Sequence, residues 1–145
     1  IIATFFGMEA VAWLAHKYVM HGFLWKLHED HHVKTPESVV EKNDSFFLIF
    51  AFPSIFLFGY WHFMNASWAL AIALGIAIYG LAYFFVHDVF IHQRIKIFKR
   101  ADNTYLKAIR KAHKVHHKHL TKEHGECFGM LWVPIKYFRE FASRK

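Results

Sequence analysis

The chain has one cysteine, few carboxylates (eleven in all), and no Asp, Glu, Lys or Arg anywhere between residues 45 and 86. Each scarcity excludes something. The single Cys127 rules out an internal disulfide, so nothing points to an oxidising compartment, and a metal site could not be built on paired thiolates. The first residues carry no basic stretch followed by a small-residue cleavage site, so they do not read as a signal peptide. The apolar run opening at Ile1 implies that a few residues precede it. An uncharged stretch as long as 45–86 exceeds what one membrane crossing needs, about 20 residues, and is read as two passes.

What is present agrees with a membrane. The chain is 145 residues long, 55% hydrophobic and 19% aromatic, richer in apolar residues than a soluble domain and of a length that suits one domain. His62, Asn65 and Ser67 interrupt the uncharged stretch, and Tyr60, Trp61, Phe63 and Trp68 cluster there as interfacial aromatics do. Pro53 should kink the first pass, and Gly75 and Gly80 should let the second approach a neighbour. Residues 1–15 are apolar apart from Glu9.

A formal charge of +7 could indicate a nucleic-acid partner, but its placement indicates lipid instead. All eighteen Lys and Arg lie within 16–44 or 87–145. If 45–86 is a hairpin, both basic segments share one side, which the positive-inside rule makes cytoplasmic. The reading is an all-α integral membrane protein of one domain, 1–145, in the cytoplasmic (inner) membrane. Three transmembrane helices are expected at about 1–20, 46–61 and 67–86, with a cytoplasmic helical cap over 16–44 and 87–125. The basic run 94–122 (Lys107, Arg110, Lys111, Lys114, Lys118, Lys122) suits a solvated face near anionic headgroups or a docking surface for an acidic electron donor. The tail 128–141 is read as interfacial.

Ten of the thirteen histidines form one pattern written twice. The first copy is His16 and His21 (H-x4-H), then His28, His31 and His32 (H-x2-H-H). The second is His87 and His92, then His113, His116 and His117. Neutral imidazole binds iron, zinc and copper, so a doubled set of five reads as a dimetal site held by nitrogen. H-x2-H-H puts three rings on one helical face. H-x4-H sets two rings about 140° apart on a regular helix. Such a pair either divides between two metals or requires the helix to loosen, which Gly22 would permit. Asp88, Glu29 and Asp30 are candidates for carboxylates behind the ligands, and Glu9 is a further candidate as an ionisable residue inside a span. His62, His119 and His124 read as ordinary interfacial polar groups.

The motifs GMEAVAWLAHKYVMHGFLWKLHEDHH, YFFVHDVFIHQR and AHKVHHKH followed by GECFGMLWVP resemble the bacterial β-carotene 3-hydroxylases, within the membrane fatty-acid-hydroxylase superfamily. The resemblance runs from about Gly7 to Pro134 with all ten histidines in place, and the N-terminus is shorter than the family usually shows. It implies a non-haem diiron monooxygenase with no catalytic residue beyond the metal ligands. Such an enzyme would use two iron ions, O2 and electrons from a ferredoxin-type donor to hydroxylate carbon 3 of each β-ionone ring, giving β-cryptoxanthin and zeaxanthin. Zinc, being redox-inert, could occupy a purified sample but could not do this chemistry. The carotenoid is expected to come sideways from the bilayer and to meet Trp13, Tyr83 and Phe84, with Ala82 a position that could line its path. The rivals are a fatty-acyl or sterol hydroxylase or desaturase of the same superfamily, a metal transporter, and a membrane metalloprotease. None of the ten histidines lies in 45–86, against a transport path. His28-Glu29-Asp30-His31 is one residue short of H-E-x-x-H.

Overall fold

In the computed structural model the described residues are 1–33, 40–98, 100 and 103–143. Parts of the expected cap, 34–39 among them, lie outside these. Among the described residues the fold is all-α with no strand. Helix α1 (Ile2–Leu14) runs straight into a π-helical stretch (Ala15–Phe23), after which α2 (Trp25–His32) follows. A 3₁₀ turn (Lys42–Asp44) leads into α3 (Ser45–Met64), which continues as one helix through Pro53. Asn65, left-handed at φ 51°, caps α3 and turns the chain into α4 (Ser67–Phe84). Helix α4 passes into a second π-helical stretch (Phe85–Ile91). Helices α5 (Thr104–His116) and α6 (Ile135–Ala142) complete the chain.

Among the described residues two helices are long and apolar enough to cross a membrane, Lys42–Met64 and Ser67–Ile91. They coincide with the stretches 46–61 and 67–86 expected as passes, each extending beyond those boundaries. Helix α3 turns Phe47, Phe52, Ile55 and Phe56 outward. A soluble monomer rarely exposes an apolar face of that extent, so the pair associates with membrane. Polar needs inside the hairpin are met locally: Ser54 Oγ donates to the Ala73 carbonyl at 2.9 Å.

Helix α1 packs on α4 at Gly75, where a Cβ would stand 2.8 Å from the Ile1 carbonyl oxygen and 2.9 Å from Thr4 Cγ2. Gly80 has open space instead. The second packing unit joins α5 and α6 through buried Ala108, Ile109, Ala112, Val133 and Tyr137. Asn103 caps α5, its side chain accepting from the Leu106 N–H at 2.7 Å. These two units bracket the histidines.

Candidate metal centre

Both H-x4-H pairs sit on the π-helical stretches, His92 as the residue capping the second, so it is the loosened helix, not a division between metals, that reconciles their spacing. A π turn closes i→i+5 bonds, which returns residue i+5 to the face of residue i. In the second stretch the His92 N–H bonds the carbonyl of His87 itself, at 2.9 Å. In the first the corresponding bond is Leu24 N–H to Val19 at 3.0 Å, and Gly22 leaves helical geometry with φ −108° and ψ −121°. Ring centroids are 5.3 Å apart for His16 and His21, and 4.5 Å for His87 and His92.

All ten patterned histidines converge, in two groups. His16, His21, His28, His32 and His116 present nitrogens that all lie within 4.8 Å of one another. His31, His92, His113 and His117 form the second group, and His87 joins it with its Nε2 2.9 Å from that of His31. Each H-x2-H-H motif therefore divides. His28 and His32 stay with the first group while His31 crosses to the second; His113 and His117 stay with the second while His116 crosses to the first. His62 stands near the far end of α3, and His119 and His124 belong to neither group.

The nitrogens facing the centre of the first group carry lone pairs. In the first group every Nδ1 meets an acceptor: Phe128 O for His16 (3.0 Å), Lys122 O for His21 (3.4 Å), Asn43 Oδ1 for His28 (2.7 Å), His119 O for His32 (2.8 Å) and Glu126 O for His116 (2.8 Å). Nδ1 therefore carries the proton and Nε2 does not. Yet Nε2 atoms approach in pairs: His16 to His28 at 3.1 Å, His28 to His32 at 3.2 Å, His21 to His116 at 3.3 Å. Without a shared proton such contacts repel. Two imidazoles bound at adjacent corners of one metal ion, each at about 2.1 Å, stand about 3 Å apart. The donor set thus fits a metal ion at each group. His117 Nε2, buried and without a hydrogen-bond partner among the described residues, fits likewise.

Electrostatics agree. Burial pushes His28 down to about 3, His32 to about 4 and His116 to about 2. Burial, then neighbouring imidazoles, lowers His31, His113 and His117 as well. Neutral imidazole is the metal-binding form. Trp25, at 5.0 Å from His21 and 5.3 Å from His32, and Phe128, at 5.1–5.5 Å from His16, His21 and His116, wall the first group from water.

The four carboxylates singled out in the sequence occupy different places. Asp88 faces His87 Nδ1 at 3.4 Å. Glu29 is exposed on α2. Asp30 accepts the Lys42 N–H at 2.6 Å and the Asn43 N–H at 3.4 Å, so it acts on the histidines through the 3₁₀ turn. Glu9 is buried, and its Oε1 accepts three successive backbone N–H groups, from Met130 (2.9 Å), Leu131 (3.0 Å) and Trp132 (2.9 Å), while Tyr79 donates to Oε2 at 2.8 Å. Glu9 anchors the strap that supplies the Phe128 and Glu126 carbonyls. Cys127 between them sits at φ 60°, which costs a non-glycine residue about 1–2 kcal/mol. Gly129 is obligatory because a Cβ would strike the Trp132 carbonyl.

Sequence reasoning missed Glu41, which accepts from His31 Nδ1 at 2.7 Å, as well as Asn43 and Arg94. The available signal was a polar turn, Glu41-Lys42-Asn43-Asp44, directly before an uncharged helix. Arg94 pairs with Glu41 (2.7 Å), Asp44 (2.8 Å) and Asp88 (3.3 Å).

A cavity of about 420 Å³ runs between α1, α3 and α4 and ends on His16 and His87, one histidine from each group. Tyr83 and Phe84 line it. Trp13 does not; it borders a separate groove with Phe128 and Trp132, its ring 4.9 Å from Lys17 Nζ. Ala82 is absent from the cavity wall, whereas Ala77 and Gly80 form part of it.

The fatty acid hydroxylase family model matches residues 1–134. The beta-carotene hydroxylase of Pantoea ananas is 39% identical over 135 residues, covering 92% of this chain and 75% of the relative. That of Paracoccus sp. (strain N81106 / MBIC 01143) is 35% identical over 136 residues, covering 92% and 82%. The chloroplastic beta-carotene 3-hydroxylase 1 of Arabidopsis thaliana is 37% identical over 131 residues, covering 88% of this chain and 41% of the relative. No solved structure matches the chain significantly.

Proposed function

The chain belongs to the fatty acid hydroxylase family, and from that premise we propose that it is a β-carotene 3-hydroxylase. It hydroxylates carbon 3 of the β-ionone rings and converts β-carotene to β-cryptoxanthin and then zeaxanthin. The observation that carries this reading is the largely apolar cavity whose wall includes His16 and His87, one histidine from each group. At about 420 Å³ it lies toward the lower end of the range for drug-sized ligands. That suits one ring and the start of the polyene, with the rest of a C40 chain left in lipid. Phe47, Ile55 and Leu81 wall the cavity and are also exposed on the outside of the hairpin. This supports a substrate that enters from the bilayer, where its apolar surface already resides.

The ten patterned histidines would hold two iron ions. Bound there, iron would supply, with O2, two electrons and two protons, the oxidising power that an unactivated C–H bond demands, one oxygen atom ending in the alcohol and the other in water. The protein's own residues do the rest. Carbonyls of residues 119, 122, 126 and 128, with Asn43 and Glu41, keep the proton on Nδ1 of His16, His21, His28, His31, His32 and His116 and aim their Nε2 atoms inward. Tyr83 and Phe84 present ring faces to the substrate beside His87. The apolar walls keep water from the reacting carbon.

Helix α1 with the π stretch behind it would make the third membrane-embedded helix, and the two basic segments would face the cytoplasm. Lys107, Lys114 and Lys118, exposed on and just after α5, then offer a cationic surface to a ferredoxin-type electron donor. Expression in cells that accumulate β-carotene, followed by chromatography of the pigments, tests the reading. Mono- and dihydroxylated products are expected. Unchanged β-carotene together with new hydroxylated fatty acids would overturn it in favour of an acyl substrate.

A further inference from the structure

The two histidine groups are backed by different chemistry. In the first group all five Nδ1 protons go to neutral acceptors, four backbone carbonyls and the Asn43 amide. In the second, His31 gives its Nδ1 proton to the Glu41 carboxylate at 2.7 Å, and His87 faces Asp88 at 3.4 Å. One guanidinium holds both acids. Arg94 Nη2 reaches Glu41 Oε2 at 2.7 Å, the same oxygen that His31 uses, and Nε reaches Asp88 Oδ1 at 3.3 Å. Its Nη1 is fixed by Asp44 at 2.8 Å, at the doorstep of α3.

A carboxylate behind a metal-bound imidazole makes that imidazole a better donor, and its loss costs about 10–100-fold in metal affinity. A carbonyl orients the ring without adding charge. We propose that the two metal positions are unequal by construction. The group of His31, His87, His92, His113 and His117 is the tighter and more electron-rich, and Arg94 is the positioning residue that sets this inequality by clamping Glu41 and Asp88. This rests on the reading of the histidines as metal ligands.

The geometry explains why an arginine serves here. Glu41, Asp44 and Asp88 converge from the 3₁₀ turn and the second π stretch, and three carboxylates so close would repel without a cation. A planar guanidinium with several fixed donors reaches all three at once. A lysine could satisfy one.

The test is titration of metal-free, detergent-solubilised full-length protein with Co2+ against a chelator, followed by cobalt absorption. Two steps are expected, one ion each. His113→Ala should remove the tighter step and His32→Ala the weaker. Glu41→Gln should weaken the tighter step about 10–100-fold and leave the weaker one in place. Arg94→Gln should weaken the same step, and Arg94→Lys should restore part of it. A general loss of structure would move both steps together, and circular dichroism of each variant checks for it. Two ions bound with equal affinity would overturn the inequality alone. So would Glu41→Gln shifting both steps equally, or Arg94→Gln shifting neither. Wild-type protein that takes up no cobalt would overturn the ligand reading as well.

Discussion

His31 and His116 occupy equivalent places in the two histidine copies, and each serves the other copy's group. His31 Nε2 lies 2.9 Å from that of His87, and His116 Nε2 lies 3.3 Å from that of His21. Both are buried, His116 completely. Each copy thus supplies four histidines to its own centre and one to its counterpart, which laces residues 16–32 to residues 87–117.

Replacement of either crossing residue should therefore damage the centre furthest from it in sequence. His31→Ala and His116→Ala are each expected to abolish hydroxylation and to lower bound metal toward about half, since a missing ligand is a missing share of binding energy. His119→Ala and His124→Ala should do neither; the His119 carbonyl that holds His32 survives that change. Elemental analysis beside product chromatography checks this. Full metal content in His116→Ala would contradict the lacing.

Glu9 should behave as an anchor. Glu9→Leu takes the acceptor from three strap N–H groups; the buried one, from Met130, costs about 1–3 kcal/mol and the two partly buried ones less. Glu9→Gln keeps an acceptor and costs less. Both variants should melt at lower temperature in detergent, with Glu9→Leu the worse, and protease should cut more readily within 125–132. A strap no more cleavable in Glu9→Leu than in wild type would refute the role.

Cavity shape should govern turnover independently of metal. Ala77→Phe fills space at the cavity wall and is expected to slow β-carotene turnover about tenfold with metal content unchanged, because overpacking excludes the substrate. Ala82→Phe, off the cavity wall, should have a smaller effect. Equal impairment by both would argue that the substrate lies elsewhere.

Acid should disassemble the centre. Burial holds His28 and His32 well below their ordinary value, to about 3 and about 4. Between those values and about 6.5 the unfolded chain binds protons that the folded chain refuses, so stability falls as pH falls through this window. Above about 6.5 the contribution is complete. Melting temperature and retained metal should both decline from pH 6.5 toward pH 4. A flat profile over that range would be inconsistent with neutral, buried imidazoles.

Some of this was legible in the sequence because the signals were local. The uncharged stretch 45–86 located the hairpin, and the repeated spacing marked all ten converging histidines. The exchange of His31 and His116 was not legible. From residue i, i+3 lies about 60° to one side and i+4 about 40° to the other; that reads as one face, yet it is wide enough to address two centres. The π register was hinted at by the awkward H-x4-H angle, but spacing alone does not choose between loosening and division. The strap at 125–132 stood out only as part of the GECFGMLWVP motif, and its role was not legible, since it acts through backbone carbonyls and joins Glu9 to residues more than a hundred positions away. Glu41 and Arg94 were invisible for a related reason: their partnership exists only once two distant turns meet.

The lacing also imposes an order on biosynthesis. His16, His21, His28 and His32 are made before the hairpin, whereas His116 and the carbonyls of residues 119, 122 and 128 that hold three of these rings are made after it. At about 5–20 residues per second those four wait on the order of ten seconds for their fifth partner, open to any zinc or copper that competes for the same nitrogens. The second centre meets no such delay, since His31 is in place before its own four histidines are made. An incorrect ion acquired early would belong to the first centre, and delivery of the right one to a growing chain becomes a matter of timing as much as of affinity.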